Sequence, residues 1–193
     1  MKPLTSADIL SRDTYEEART DLRRRVMLDK SRRRIQLGPH CTVHFESRET
    51  LFYQVHEMLR VEGSWNRPGA VGDELDAYNP LIPQTGELSA TLMLEYETAE
   101  ERATELPKFV GLEQHVWLKV GDTAPLLATF DRGQIDDRGV SAVQYLKWRL
   151  DAEQRALLKA DGTVVRLILD HPAYNAQSVF GEDTRRAIMN DPD

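Results

Sequence analysis

The amino-acid sequence predicts a single α+β domain, in which a mainly antiparallel sheet of about six strands packs with helices. Helical periodicity covers residues 14–35 and 49–62, whereas alternation of apolar and polar side chains dominates from residue 88 onward. With 193 residues the chain is long enough for one substantial core and short for two. We find no repeat, low-complexity tract or dividing linker, so we expect one domain over residues 1–193.

The N-terminal region, residues 1–37, is predicted to be a helical arm. Its long helix begins near Thr14, where acidic residues in the first turn favour a helix start, and the Gly-Pro pair at 38–39 ends it. We expect an α+β body over residues 38–175. A polar C-terminal tail with weak helical character is expected over residues 176–193.

The body begins with a predicted strand at residues 41–47. Cys41, Val43 and Phe45 lie on one face of this strand, so Cys41 is expected in the core rather than as a nucleophile. Residues 63–87 are rich in Gly, Pro, Asn and Asp. This composition predicts a long ordered loop, and loops of that length in compact domains are often functional.

The remainder of the body is predicted to be mostly strand, with two helices. A short helix is expected over residues 99–109, ending near Pro107, and another over 151–160. Residues 131–139 predict a hairpin-like connection. The five remaining strand candidates are 88–96, 115–120, 125–130, 140–150 and 163–170.

The composition is ordinary for a soluble globular protein, with 40% hydrophobic and 30% charged residues. No apolar run approaches the roughly 20 residues that a membrane span requires, and we expect no membrane association. The first residues lack the apolar stretch of a signal peptide. A single cysteine, Cys41, excludes an internal disulfide and the Cys-rich metal frameworks. We therefore expect a cytoplasmic protein.

Charge is unevenly distributed along the chain, whose net charge is −7. Residues 19–34 carry eight Lys and Arg against Asp21 and Asp29, so this segment is basic and the remainder strongly acidic. An acidic remainder would repel a polyanion, which disfavours nucleic-acid binding. We expect the arginines of this segment to contact acidic protein surface, either of the chain itself or of a partner.

The strand patterns predict one apolar sheet face and one mixed face. The mixed face carries Trp117 and Tyr145 beside Glu95 and Arg166. A solvated outer face would explain the charges, whereas aromatic side chains beside isolated charged groups are typical of surfaces that line a ligand.

The predicted helix 49–62 carries several polar side chains close together. His56 and Glu57 begin like the zinc-protease pattern H-E-x-x-H, but position 60 is Arg60, which excludes that site. A divalent metal could still use Glu57 with Glu95 and His171, since such cations accept oxygen and nitrogen donors. Glu62 falls within the apolar arc of the helix, and Gly63 after it favours a helix end at the surface.

The stretch DELDAYNPLIP, residues 73–83, is either a rigid packed loop or the mouth of a pocket. In the second case the pocket would lie between helix 49–62, this stretch and the mixed sheet face. The candidate ligand-binding residues are Gln54, Glu57, Glu62, Glu74, Tyr78, Asn79, Glu95, Trp117, Tyr145 and Arg166.

Several motifs together resemble a known bacterial family. They are RRRIQLGPH, YQVHEMLRVE, ELDAYNPLIP, ATLMLEY, VWLKVG, SAVQYLKW and DHPAY, in this order. The chain resembles domain-of-unknown-function family 3501 over nearly its whole length. The resemblance implies no established activity and no settled catalytic residues. Members are encoded near rubrerythrin-like di-iron proteins and iron–sulfur oxidoreductases, which implies a role in redox or peroxide defence.

Two classes of function follow. The first is a non-catalytic accessory that docks on a redox protein partner through the basic segment 19–34 or the acidic body. The second is an enzyme that binds a small ligand or a metal in the pocket described above. The absence of a nucleophile–base motif or cofactor loop favours the first, whereas the acidic helix and the aromatic sheet face favour the second.

Overall fold

A computed structural model describes residues 1–131, 135–136 and 139–193. The helices are α1 Arg12–Arg32, α2 Arg48–Val61, α3 Ala70–Tyr78, α4 Ala99–Glu105, α5 Ala152–Lys159 and α6 Glu182–Ile188. The strands are β1 Arg34–Gln36, β2 Cys41–Phe45, β3 Glu87–Leu94, β4 Val116–Val120, β5 Leu126–Leu127, β6 Thr129–Phe130, β7 Ile135–Asp136, β8 Gly139–Val140, β9 Val143–Arg149, β10 Val165–His171 and β11 Tyr174–Val179.

The strands pair antiparallel throughout the described residues, and the α+β class is confirmed. They form two main sheets, where the sequence suggested one. The first sheet has the order β1-β2-β3-β9-β6, and the second has the order β11-β10-β4-β5. β7 and β8 form a separate pair. The predicted hairpin at 131–139 falls partly here, but residues 132–134 and 137–138 lie outside the described residues.

The two sheets share one apolar core. Alternate residues of β2, β3 and β9 meet alternate residues of β4 and β10, which is the arrangement that a period of two produces when one face of each sheet is buried. Phe45 and Trp148 are among the largest side chains in this core. Cys41 is also buried there, and burial raises the pKa of its thiol to about 12, as expected for a packing residue.

The chain passes from the second sheet to the first at Ala128. Leu126 and Leu127 pair with β4, whereas Thr129 and Phe130 pair with β9. Ala128 between them is buried, and its amide donates to the carbonyl of Val116. A continuous apolar pattern over 125–130 does not indicate where a strand changes partner, which is why one sheet was predicted.

Three elements differ from the sequence prediction. The predicted loop 63–87 contains α3, which begins after Gly69 in a left-handed conformation (φ 84°). The predicted helix 14–35 ends at Arg32, because Ile35 and Leu37 alternate into the core as β1 pairs with β2. The predicted tail begins inside β11, which runs to Val179 and whose half-exposed alternation gives only a weak strand signal, whereas α6 agrees with the helical character expected there.

Local sequence explains where the main helices begin. Ser11 caps α1 by accepting a hydrogen bond from the amide of Thr14. Ser47 and Asp151 start α2 and α5 with reciprocal capping boxes. Such caps satisfy amides that have no partner within the helix. None of the helices in the described part of the chain is long and apolar enough to cross a membrane.

A buried ion pair joins the end of α1 to the C-terminus. Arg33 is 7% exposed, and its guanidinium binds Asp191 at 2.6 Å, Asp29 at 2.9 Å and the carbonyl of Ala187 at 2.6 Å. Asp191 is itself 3% exposed. At this arginine the expected contact between the basic segment and acidic protein surface is confirmed. Arg24 binds Asp21 of its own helix.

We predict that Arg33→Ala lowers the free energy of unfolding by about 3–5 kcal/mol, because Asp191 would remain buried without its counter-charge. Chemical denaturation followed by circular dichroism measures the change. Arg32→Ala is the matched control, since Arg32 is exposed on the preceding position and should change stability by less than about 0.5 kcal/mol. Equal stabilities of the two variants would contradict the prediction.

Candidate functional site

The polar side chains of α2 face two different parts of the structure. Glu57 faces α1. Its carboxylate receives a bidentate ion pair from Arg19, at 2.7 and 2.8 Å, and a hydrogen bond from the hydroxyl of Tyr15 at 2.7 Å. The hydrogen bond from Arg19 is the largest cause that lowers the pKa of Glu57, to about 2. Glu57 therefore joins two helices and is fully engaged by protein groups.

His56 also connects α2 to the N-terminal region. The ring is buried, with Nε2 accepting from the amide of Leu10 at 2.9 Å and Nδ1 donating to the carbonyl of Phe52 at 2.7 Å. It stacks on Tyr15 with ring centroids 4.7 Å apart. Burial lowers the pKa of His56, so the neutral ring with one donor and one acceptor fits both contacts. His56 and Glu57 together anchor the helical arm.

The other side of α2 covers a cavity of about 220 Å³ on the outer face of the five-stranded sheet. Across the floor, His44 of β2, Thr91 of β3 and Tyr145 of β9 stand in register as one row. The remaining lining residues come from α1, α2, the end of α3 and neighbouring strand positions. They are Lys30, Glu46, Leu51, Gln54, Tyr78, Leu81 and Met93.

The cavity is polar on its floor and partly apolar on its walls. Glu46 accepts hydrogen bonds from the hydroxyls of Thr50 at 2.6 Å and Thr91 at 2.7 Å. Burial lowers the pKa of His44, and its Nδ1 is a buried atom without a hydrogen-bond partner among the described residues. Burial also raises the pKa of Tyr78 and Tyr145, so both hydroxyls stay protonated near neutral pH.

A second cavity of about 210 Å³ lies beside the first and shares Leu81 and Tyr145 with it. Its other walls are formed by residues 129–131 and by the adjacent part of β9. Three of the predicted ligand-binding residues, Gln54, Tyr78 and Tyr145, therefore line one cavity between α2, α3 and the sheet. Whether this cavity binds a ligand stays a prediction.

Three other candidates near this region lie outside the cavity wall. Asn79 accepts from the amide of Leu4 at 2.8 Å and donates to its carbonyl at 2.9 Å, so it fastens the N-terminal segment. Glu62 is the exposed C-terminal cap of α2, as Gly63 suggested. Glu74 is buried on α3, where desolvation and the nearby carboxylate of Glu62 raise its pKa.

The three candidate metal ligands have separate protein partners. Glu57 is held by Arg19, as described above, whereas Glu95 accepts from the hydroxyl of Thr42 at 2.7 Å. His171 lies 3.1 Å from the carbonyl of Val110 through Nε2 and accepts from an amide through Nδ1. Across the described ranges, no three His, Cys, Asp or Glu side chains are grouped as a metal would require. The structure therefore does not bring these three candidates together.

Trp117 and Arg166 belong to the second sheet. Trp117 alternates with core residues of β4 and donates to Asp170 at 3.1 Å, so it lies on the outer face opposite to that of Tyr145. Arg166 lines a depression of about 750 Å³ near α5. The expected single mixed face is therefore two faces on opposite sides of the molecule.

Sequence reasoning did not select Lys30, His44, Glu46 or Thr91 as site residues. His44 and Glu46 do alternate with the apolar face of β2, and that was the available signal. Their relevance depends on the pairing of β2 with β3 and on α2 lying above them. Neither the strand register nor the helix position can be deduced from a local pattern.

Comparison with known proteins shows the family to which the chain belongs. The family model described as "Protein of unknown function (DUF3501)" matches residues 3–192. The chain belongs to this family. A crystal structure of a protein of unknown function from Burkholderia pseudomallei K96243 is 35% identical to the chain, with a TM-score of 0.92 and 100% of both chains covered. Among curated proteins, none matches. The family and its solved relative thus share the fold and carry no described activity.

We predict that Glu57→Gln lowers the free energy of unfolding by about 1–3 kcal/mol at pH 7, because Arg19 loses its half-buried counter-charge. The folded-state pKa lies below the ordinary value of 4.5, so this stabilisation is present above that pH and disappears as the pH falls toward 2. Denaturation between pH 7 and pH 2 measures both effects.

Glu62→Gln provides the matched control, because it makes the same chemical change at an exposed position of the same helix. It should leave stability at pH 7 within about 0.5 kcal/mol of the parent. A Glu57→Gln protein that follows the parent at every pH would show that the ion pair contributes nothing.

Proposed function

We propose that this protein binds a small molecule in the cavity between α2, α3 and the five-stranded sheet. The observation that carries the proposal is the row His44–Thr91–Tyr145, which lines the floor of a partly open cavity below α2. A packed domain ordinarily fills the space between a helix and a sheet with apolar side chains. Here the space is open and its floor is polar.

The chemistry of the lining supports binding. Ligand sites combine apolar walls with a few polar groups that orient the ligand. Leu51, Leu81 and Met93 supply the apolar walls, and Glu46 and Tyr78 supply polar groups that can orient a ligand. The volume of about 220 Å³ lies below the common range of about 300–1,000 Å³ for ligand pockets, which favours a small ligand.

We predict that Met93→Trp abolishes binding of small metabolites, because Met93 lines the cavity and an indole would occupy it. Ligand-observed NMR with a broad library of water-soluble metabolites measures binding to the parent and to the variant. At least one compound should bind the parent and lose its signal with Met93→Trp.

Met27→Trp is the control, since Met27 is exposed on α1 and the same substitution there leaves the cavity open. Thermal melts verify that each variant is folded, and Leu81→Phe, also on the cavity wall, replaces Met93→Trp if that protein does not fold. Absence of any binder, or binding that survives filling of the cavity, would show the proposal to be wrong.

A second proposal is a non-catalytic accessory role, in which α1 docks on an acidic redox protein. The supporting observation is an exposed face of α1 on which Arg25, Leu28 and Arg32 follow one another at the i, i+3, i+7 spacing. An acidic partner surface would complement these arginines. The family resemblance suggests rubrerythrin-like di-iron proteins or iron–sulfur oxidoreductases as partners, in a cytoplasmic redox or peroxide defence system.

We predict that the double variant Arg25→Glu, Arg32→Glu weakens binding to such a partner at least about tenfold, because like charges would then face each other. Biolayer interferometry with a rubrerythrin-like protein from the same organism measures affinity at two salt concentrations. Lys2→Glu with Arg12→Glu is the control, since both side chains are exposed away from this face and the change in net charge is equal. Equal loss in both double variants, or no binding by the parent, would contradict the docking role.

A further inference from the structure

The cavity under α2 contains two opposite charges that the protein leaves apart. Glu46 is 9% exposed, and its carboxylate is bound by two neutral hydroxyls, those of Thr50 and Thr91. Lys30, in the last turn of α1, lines the same cavity. Within the described part of the chain, neither Glu46 nor Lys30 has an opposite charge at salt-bridge distance, and they do not pair with each other.

A buried carboxylate without a counter-ion is costly, and hydroxyl donors replace only part of its hydration. Among the described residues, no cationic side chain lies at salt-bridge distance from Glu46, although Lys30 lines the same cavity. After burial, the charge of Arg34, the cross-strand neighbour of His44, and then that of Lys30 lower the pKa of His44. The cavity consequently has a negative group on its floor and a positive group at its edge.

We infer that the ligand of this cavity is a small zwitterion, whose ammonium binds Glu46 and whose carboxylate binds Lys30. This inference rests on the proposed small-molecule function and gives the ligand its chemical class. A molecule with only one charge would leave the other protein charge unmatched. A zwitterion of amino-acid size satisfies both, and charge-assisted hydrogen bonds of this kind are stronger than neutral ones.

The other lining groups fit the same ligand class. The ring of His44 lines the floor, and Tyr78 supplies a hydroxyl. Leu51 and Leu81 offer an apolar wall to the carbon chain between the two charges. The small volume selects against long chains, so amino acids with short side chains or short carbon spacers are the ligands that we expect.

Isothermal titration calorimetry with a defined set of probes tests the inference. The probes are the standard α-amino acids, β-alanine and γ-aminobutyrate, together with compounds that carry only one of the two charges. Ethylamine and propionate are the single-charge counterparts of alanine, and propylamine and butyrate are those of γ-aminobutyrate. At least one zwitterion should bind, and its amine and carboxylate counterparts should bind about tenfold or more weakly.

Two charge-removing variants identify the contacts. Glu46→Gln and Lys30→Gln should each weaken binding of the zwitterion about tenfold or more. In addition, Glu46→Gln should remove the residual binding of the amine counterpart and Lys30→Gln that of the carboxylate counterpart. Glu49→Gln and Lys2→Gln make the matched changes at exposed positions and should leave affinity unchanged. Glu46→Gln keeps the side-chain shape, and thermal melts verify that both variants are folded.

The outcomes separate this inference from the function on which it rests. If no amino acid binds at roughly 10 mM, or if an amine or a carboxylate binds as well as the zwitterion, the assigned ligand class is wrong. Unchanged affinity in both charge variants overturns it as well. The small-molecule function itself fails only if the metabolite library yields no compound that Met93→Trp excludes.

Discussion

The alternation of side chains along β2, β3 and β9 is the constraint on which the rest of the structure depends. Because the two sheets share one core, the inward positions on these strands are apolar except for the buried Gln144 of β9, and every second residue must face outward. The outward row is His44, Thr91 and Tyr145, which is too polar to be packed dry. The helices that cover this face meet the sheet partly through polar groups, and the cavity lies where they do not close on it.

The helical arm is held in place by charge and hydrogen bonding more than by apolar area. Few of the side chains of α1 are buried, so hydrophobic burial alone gives it little stability. Glu57 and His56 of α2 fasten its first half, and the buried pair between Arg33 and Asp191 fastens its end. These contacts also show what part of the basic segment does. Arg19 and Arg33 form ion pairs that hold the arm, whereas the arginines at 23–25 are exposed.

Local signals in the sequence were sufficient for the fold class, for α2 and α5, and for most core strands, because these have a clear period and capping residues. They were insufficient for α3, which is hidden in a Gly- and Asp-rich stretch, and for β11, whose alternation is only half-buried. Gln54, Tyr78 and Tyr145 were selected as neighbours and do share one cavity. Trp117 was placed beside Tyr145 because the strand exchange at Ala128 leaves no mark in the pattern.

The position of Lys30 links these observations. It lines the cavity from α1, three residues before the buried Arg33, whereas Glu46 lies at the end of β2 under the first turn of α2. A ligand that bridges the two charges would therefore contact the arm and the sheet at once, and would favour the docked arrangement of α1 by mass action. The same helix presents its arginine face on the outside. Occupancy of the cavity and availability of that face would then be coupled through the docking of one helix, which makes the two proposed roles compatible within one protein.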